Sequence, residues 1–372
     1  MLQAEKLTIQ DIARLAGVSK ATVSRVLNHH PSVSSETEAR VLRVVREYGF
    51  VPNVTATGLA GGKTRLVGVL APPLTWAGVS EILRGVAEYI EDTSYEIVLY
   101  SISFNRNHFD VLDRVLSMRM VSGLLAILPG ELSRHITDRF HQGLPLVMID
   151  DQEKPGIVPW VGIDNMSSAY KATRHLLELG HRRIAYIHGP HHYFCTLERY
   201  QGYIQALHDA GIPPDPALVF HGRFDIPSGC ECATEIFARE RSTWPSAIFA
   251  GNDQMAYGVL QVAEQRGIQI PEDIALVGFD DDLLASHFKS PLTTIHQPFS
   301  QMGSKAIELL LTMIDPAHRA ANAQREGELP PASEPAMTPQ DDQMSQPVRI
   351  VLPTSLVVRA SSGVPRSPLP GS

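Results

Sequence analysis

From residue 66 onward the chain alternates short, uninterrupted apolar runs with longer segments of helical period, and this alternation narrows the available folds more than any other feature. The runs lie at 66–70, 95–100, 123–128, 146–149, 184–187, 247–250 and 274–277. A strand that is apolar at every position must be covered on both faces, as parallel strands with crossover helices are. The expectation is an α/β core built on parallel sheets. Many of the runs end in Pro, Gly, Asn or Asp, at the edge where open α/β sheets bind ligands. The set divides near Asp164 into two similar halves.

The residues before this core follow another pattern. Thr8 with Asp11 three residues later is a capping-box start for a helix whose apolar positions Ile12, Leu15 and Ala16 share one face. Gly17 can end it by taking positive φ without steric cost. Ser19 then caps a second helix over 20–28, with Val23, Val26 and Leu27 facing inward. Two short helices about a glycine turn make a helix-turn-helix. A third helix starts at Ser34 or Ser35, with Ser35 and Glu38 as a second capping pattern, and runs to Tyr48, where Gly49 stops it. The outward residues of the second helix are Lys20, Ala21, Thr22, Ser24, Arg25 and Asn28, short or basic side chains that suit a DNA major groove.

Charge supports this division. The net charge of −8 argues against a protein that coats nucleic acid. Through Arg65, however, nine basic residues face five acidic ones, whereas the rest carries 23 basic against 35 acidic. A basic head on an acidic body suggests that only the head approaches phosphates. The 372 residues exceed one ordinary domain, and 44% apolar content is enough for a sizeable core. No membrane-length apolar run and no secretory leader are visible, so the expected address is the cytoplasm. Cys195, Cys230 and Cys232 are too few and too badly spaced for a disulfide framework or a four-ligand zinc site.

The segment 8–28, TIQDIARLAGVSKATVSRVLN, together with GFVPN at 49–53, resembles the signature of the LacI/GalR (lactose-repressor) family. The likeness continues through DN at 164–165, HLLELGHRRI at 175–184, HGP at 188–190, RYQGY at 199–203, ND at 252–253, VGFDD at 277–281 and PLTTIHQ at 291–297. The resemblance implies a three-helix head followed by a two-lobe periplasmic-binding-protein-like core with the effector between the lobes. It implies a helix-turn-helix domain over 1–52, a hinge helix and linker over 53–65, and an effector-binding and dimerisation core over 66–372. Within the core, one lobe is expected to hold about 66–163 and 292–315, and the other about 164–290 and 347–360.

Residue roles follow from the same resemblance. Lys20 and Ala21 occupy base-choosing positions, and Arg25 matches a guanine reader. Thr8, Thr22, Ser24, Asn28 and Thr37 match positions that hold phosphates and set register. Leu59 matches the hinge leucine that wedges into the minor groove. Here the pattern departs from the family: Val54 and Thr57 replace the usual arginines, and Gly58 costs about 1 kcal/mol of helix propensity relative to Ala. The hinge should be weaker than typical, and Leu59 could instead be a linker residue packed on the core.

In the cleft, Arg199 matches an arginine that clamps effector oxygens. Asn252 and Asp280 match polar binding positions, or else caps of the helices that follow, and Phe224 matches an aromatic that packs on the ligand face, or else plain core. Trp76, in a loop that differs from the family's usual sequence, is a candidate for sugar stacking or for a surface role. Arg223 hints at an effector bearing a carboxylate or phosphate. The group His188, His191, His192 lies in a loop without carboxylates or cysteines at ligand spacing, so neither a metal nor any other cofactor is expected.

The segment 61–64, GGKT, lacks the glycine that a phosphate-binding loop needs at position 57, and no catalytic grouping appears, so the chain does not read as an enzyme. Residues 316–346, rich in Pro, Ala, Glu and Gln, read as a disordered insertion before a closing segment at 349–359. The expectation is a homodimer, or dimer of dimers, on a near-palindromic operator in double-stranded DNA. Its small-molecule effector is expected to be a sugar or sugar acid, or alternatively a nucleobase or nucleoside.

Overall fold

The computed structural model describes residues 7–27, 32–50, 64–102, 113, 120–128, 130–150, 156–319 and 347–363. The chain divides into two compact units, Met1–Thr64 and Arg65–Ser372. Asn28, the hinge residues Val54, Thr57, Gly58 and Leu59, and most of the 316–346 insertion lie outside the described residues.

The first unit contains α1 (Ile9–Ala16), α2 (Lys20–Leu27) and α3 (Ser35–Glu47). Thr8 closes a full capping box with Asp11, and Gly17 takes the left-handed conformation at φ 65°. Ser19 accepts from the Thr22 amide at 3.1 Å. Ile12, Ala13, Ala16, Val23, Val26 and Val41 form the mini-core. Two details differ from the sequence reading. Leu15 is 41% exposed and Ala13 is buried in its stead, so the inward face of α1 is Ile12, Ala13 and Ala16. Ser34 rather than Ser35 caps α3, accepting from the Thr37 amide.

Among the described residues, the second unit holds two six-stranded sheets. The first is built from β1 (Leu66–Ala71), β2 (Glu96–Ser101), β3 (Gly123–Ile127), β4 (Leu146–Ile149), β5 (Trp160–Ile163) and β11 (Arg349–Leu352), in the order β11-β5-β4-β3-β1-β2. The second uses β6 (Ile184–His188), β7 (Val219–His221), β8 (Ala247–Ala250), β9 (Ala275–Asp280), β10 (Thr293–His296) and β12 (Ser355–Val357), in the order β12-β10-β9-β8-β6-β7. Every pairing is parallel except that of β10 with β12. The central strands are buried throughout, as their unbroken apolar runs require.

The lobe boundaries read from sequence need correction at two strands. Thr293–His296, expected in the first lobe, pairs with β9 in the second sheet, and Arg349–Leu352, expected in the second lobe, pairs with β5 in the first. An apolar pattern shows that a strand is buried but not which neighbour it pairs with. Among the described residues the chain therefore crosses between lobes three times: near Asp164, at Gln297-Pro298 and at Pro353-Thr354. The start of the expected disordered insertion is also ordered. Residues 316–319 are helical, the His318 ring pairs with the Tyr89 hydroxyl at 2.8 Å, and Arg319 donates to the Thr312 carbonyl at 3.0 Å.

Flanking helices include α4 (Ala77–Ile90) and α10 (Phe299–Ile314) on the first sheet, and α6 (Asn165–Glu178), α7 (Phe194–Asp209), α8 (Ile226–Ala238) and α9 (Asp253–Arg266) on the second. A further helix, α5 (Ser133–His141), precedes β4. No helix among the described residues is long and apolar enough to cross a membrane.

Candidate functional site

Strands β1 and β4 of the first sheet and β6, β7, β8 and β9 of the second send the loops at their C-terminal ends to one cavity of about 370 Å³. Parallel strands all expose the same end, so a single edge collects side chains far apart in sequence. All five cleft residues expected from sequence, Trp76, Arg199, Phe224, Asn252 and Asp280, line this cavity.

Arg199, on α7, is 3% exposed, and two of its three nitrogens are hydrogen-bonded within the protein. Its Nε donates to Asn165 Oδ1 at 2.8 Å and its Nη1 to the Gly251 carbonyl at 2.8 Å, while the guanidinium lies 3.8 Å over the Phe279 ring. Its Nη1 stands 3.8 Å from Asp280 Oδ1. Asp280, at φ 129°, ends β9 and accepts from Gln297 Nε2 at 2.7 Å and from Trp76 Nε1 at 3.4 Å. Burial pushes the Asp280 carboxyl up to about 7, and Arg199, Gln297 and Trp76 work against that rise. Since Trp76 follows β1 and Asp280 ends β9, this hydrogen bond spans the two lobes.

Asn252 is the helix cap considered for it, and it also lines the cavity. Its Oδ1 caps α9 by accepting from the Met255 amide at 3.0 Å, and its Nδ2 donates to the Phe224 carbonyl at 3.2 Å beside the cavity. Phe224 sits at φ 63°, a strained conformation for a non-glycine residue, and turns its ring toward Tyr193 at 6.0 Å between centroids. Arg223 lines the cavity, but its charge is already paired, since both its Nη atoms donate to Glu231 at 2.9 Å.

Sequence reasoning missed Asp150. This residue follows β4 and is 2% exposed, and among the described residues Asn165 is the only side chain that hydrogen-bonds toward its carboxylate, too loosely to satisfy either oxygen. Burial raises its carboxyl above the usual range, with Arg199 pulling the other way. The signal was present, because the run at 146–149 ends on Asp, but nothing local separates a ligand-facing aspartate from a turn residue.

In the head, Lys20, Ala21 and Arg25 are exposed on α2, opposite the buried Val23 and Val26, with Thr22 and Ser24 half-buried beside them. Thr8 is exposed at the α1 cap and its hydroxyl donates to Asp11 at 2.7 Å. Thr37 Oγ1 accepts from the Ser34 hydroxyl at 3.0 Å. The structure thus brings together the predicted DNA-facing residues of α2, while Asn28 and Leu59 lie outside the described residues.

The histidines regroup. His188 and His191 are joined by His221 from the next strand rather than by His192.

Comparison with known proteins agrees with both halves of this architecture. Residues 8–53 match the family described as bacterial regulatory proteins, lacI family, and 173–334 match the periplasmic binding protein-like domain. The HTH-type transcriptional regulator DegA of Bacillus subtilis (strain 168) is 32% identical over 362 residues, covering 96% of this chain and 98% of DegA. The HTH-type transcriptional repressor PurR of Vibrio atlanticus (strain LGP32) is 34% identical, covering 82% of this chain and 92% of PurR. Among solved structures, the complex of the transcriptional regulator CelR with cellobiose superposes with a TM-score of 0.67 at 31% identity, covering 95% of this chain and 99% of that one. The lac repressor dimer bound to operator and the anti-inducer ONPF gives a TM-score of 0.77 at 25% identity, covering 96% and 100%. With its helix-turn-helix head, its two parallel-sheet lobes and a relative this similar over nearly its full length, the chain belongs to the LacI family of DNA-binding transcriptional regulators.

Proposed function

We propose that the chain is a repressor whose operator affinity is set by a neutral sugar bound between the lobes. One observation carries the ligand class: two buried carboxylates, Asp150 and Asp280, face a cavity with a single buried guanidinium, Arg199, that is already hydrogen-bonded. Once ionised, as Asp280 is above about pH 7, these carboxylates accept and do not donate, so the site favours a ligand rich in hydroxyl donors. A sugar acid would bring a further negative charge against them, and Arg223 is already paired with Glu231. Trp76 and Phe224 supply flat apolar faces for a pyranose ring. The cellobiose complex of CelR supports this class. A nucleobase or nucleoside is the second reading, favoured by the aromatic walls Trp76, Tyr193 and Phe224 and by the likeness to the PurR repressor.

In the head, Lys20 and Arg25 read base edges, Ala21 offers a methyl contact, and Thr8, Thr22, Ser24, Asn28 and Thr37 hold phosphates, with Leu59 as minor-groove wedge. Two heads of a homodimer read a near-palindromic operator.

Two replacements separate the two activities. Arg199→Ala should abolish the thermal shift given by the best sugar of a panel while leaving operator binding intact. Arg25→Ala should cost about 1–3 kcal/mol of operator affinity, measured by fluorescence anisotropy, and leave the thermal shift unchanged. A shift with purine bases and none with sugars would select the second reading. Loss of both activities in Arg199→Ala would show that the pocket has been misplaced.

A further inference from the structure

The three histidines His188, His191 and His221 lie outside the cavity lining and play no part in the function proposed above. Their meeting is a product of sheet register. β6 and β7 pair in parallel with His188 opposite His221, so the two side chains leave the same face from positions about 4.8 Å apart across the ladder. His191 folds back from the loop after β6, its ring 4.5 Å from that of His188 and 5.2 Å from that of His221 between centroids. One ring nitrogen from each lies within 4.8 Å of the other two.

The buried member has one nitrogen committed and the other left for ligation. His188 Nδ1 lies 2.7 Å from the Gly189 carbonyl, which can only accept, so Nδ1 carries the proton and Nε2 keeps its lone pair. Metal-bound histidines show this arrangement, in which a second partner fixes the tautomer and aims the ring. His191 and His221 are exposed and can turn about their side-chain bonds. A tetrahedral ion with nitrogen ligands at about 2.0–2.1 Å needs nitrogens roughly 3.4 Å apart, and small ring rotations would bring these to that spacing.

We propose that His188, His191 and His221 form a binding site for a late first-row divalent metal ion of the zinc, nickel and copper class, with a fourth position open to water. The group contains imidazoles only, and oxygen-seeking Mg²⁺ and Ca²⁺ find no carboxylate in it. The bound ion braces two loops that both reach the effector cavity. Pro190 follows His188 by two residues and Phe224 follows His221 by three, and both line the cavity. The Gly222 amide already donates to the His188 carbonyl at 2.7 Å, so the ion reinforces an existing junction.

The test uses the full chain, stripped with a chelator and titrated calorimetrically with zinc chloride, with melting curves recorded in parallel. The expected result is one Zn²⁺ per chain and a rise in melting temperature on zinc addition. Affinity should fall at least about tenfold in His191→Ala and in His221→Ala, but stay unchanged in His192→Ala, a neighbour outside the group. The two ligand replacements are at exposed positions and should melt like the parent without zinc. Three outcomes would overturn the site: no stoichiometric zinc binding by the parent, binding that survives both replacements, or Mg²⁺ binding as tightly as Zn²⁺.

Discussion

Asp280 concentrates the electrostatics of the cleft. Its carboxyl is buried and pushed up to about 7, and it shares its surroundings with Asp253, which burial and Asp280 raise as well, so the two titrate as a pair. The sign follows from proton counting. Between the ordinary value of 3.8 and about 7 the folded protein holds a proton that the unfolded chain has released, so stability is full below that window and falls as pH rises through it. Asp280→Asn keeps the shape without the titration, and urea unfolding at pH 5 and pH 8 should show a smaller loss of stability in that variant than in the parent. An equal loss in both would place the titration elsewhere. Arg199, Asn252 and Asp280 were legible in the sequence because each sits inside a familiar short motif, whereas Asp150 and the partnership of His221 with His188 arise from pairing between strands, which no local pattern displays.

At the scale of elements, helix caps and buried strands were the most legible features. Thr8 with Asp11, Gly17, and the apolar runs that became β1, β3, β4, β6 and β8 all express local chemistry. The short strand Val219–His221 and the sheet membership of β10 and β11 were not legible, since a three-residue strand has no period and pairing is decided across the fold. Helix glycines were similarly opaque. They look like flaws in a helical pattern, yet they set how closely the helices pack. A Cβ on Gly85 of α4 would stand 1.9 Å from the Ser300 carbonyl oxygen of α10, and one on Gly303 of α10 would stand 2.0 Å from the Ile82 carbonyl oxygen of α4. The obstacle is backbone in both directions, so no side chain can swing away. Gly85→Ala gains up to about 1 kcal/mol of helix propensity but forces the helices apart, and overpacking of this kind costs about 1–3 kcal/mol. The net expectation is a lower unfolding midpoint in urea, and a midpoint at or above the parent's would mean that α4 and α10 are less tightly packed than this geometry implies.

For the whole molecule, the three inter-lobe crossings and the Trp76–Asp280 hydrogen bond fix what a ligand can change. Gln297 lies at one crossing and donates to Asp280 at 2.7 Å, so a ligand that re-partners Asp280 acts on a segment joining the lobes. Different ligand affinity for two lobe arrangements is the only way such contacts can reach the operator, and the resulting coupling must be the same from either side. If the best-binding sugar lowers operator affinity by a given factor, saturating operator must lower sugar affinity by that factor, within the 5- to 150-fold range typical of such couplings (about 1–3 kcal/mol). Calorimetric titration of the sugar into free protein and into the protein–operator complex measures one limb, and anisotropy of labelled operator with and without sugar measures the other. Equal factors above one establish an inducer, and equal factors below one a corepressor. Two factors of one would mean that the cleft binds its ligand without reporting to DNA.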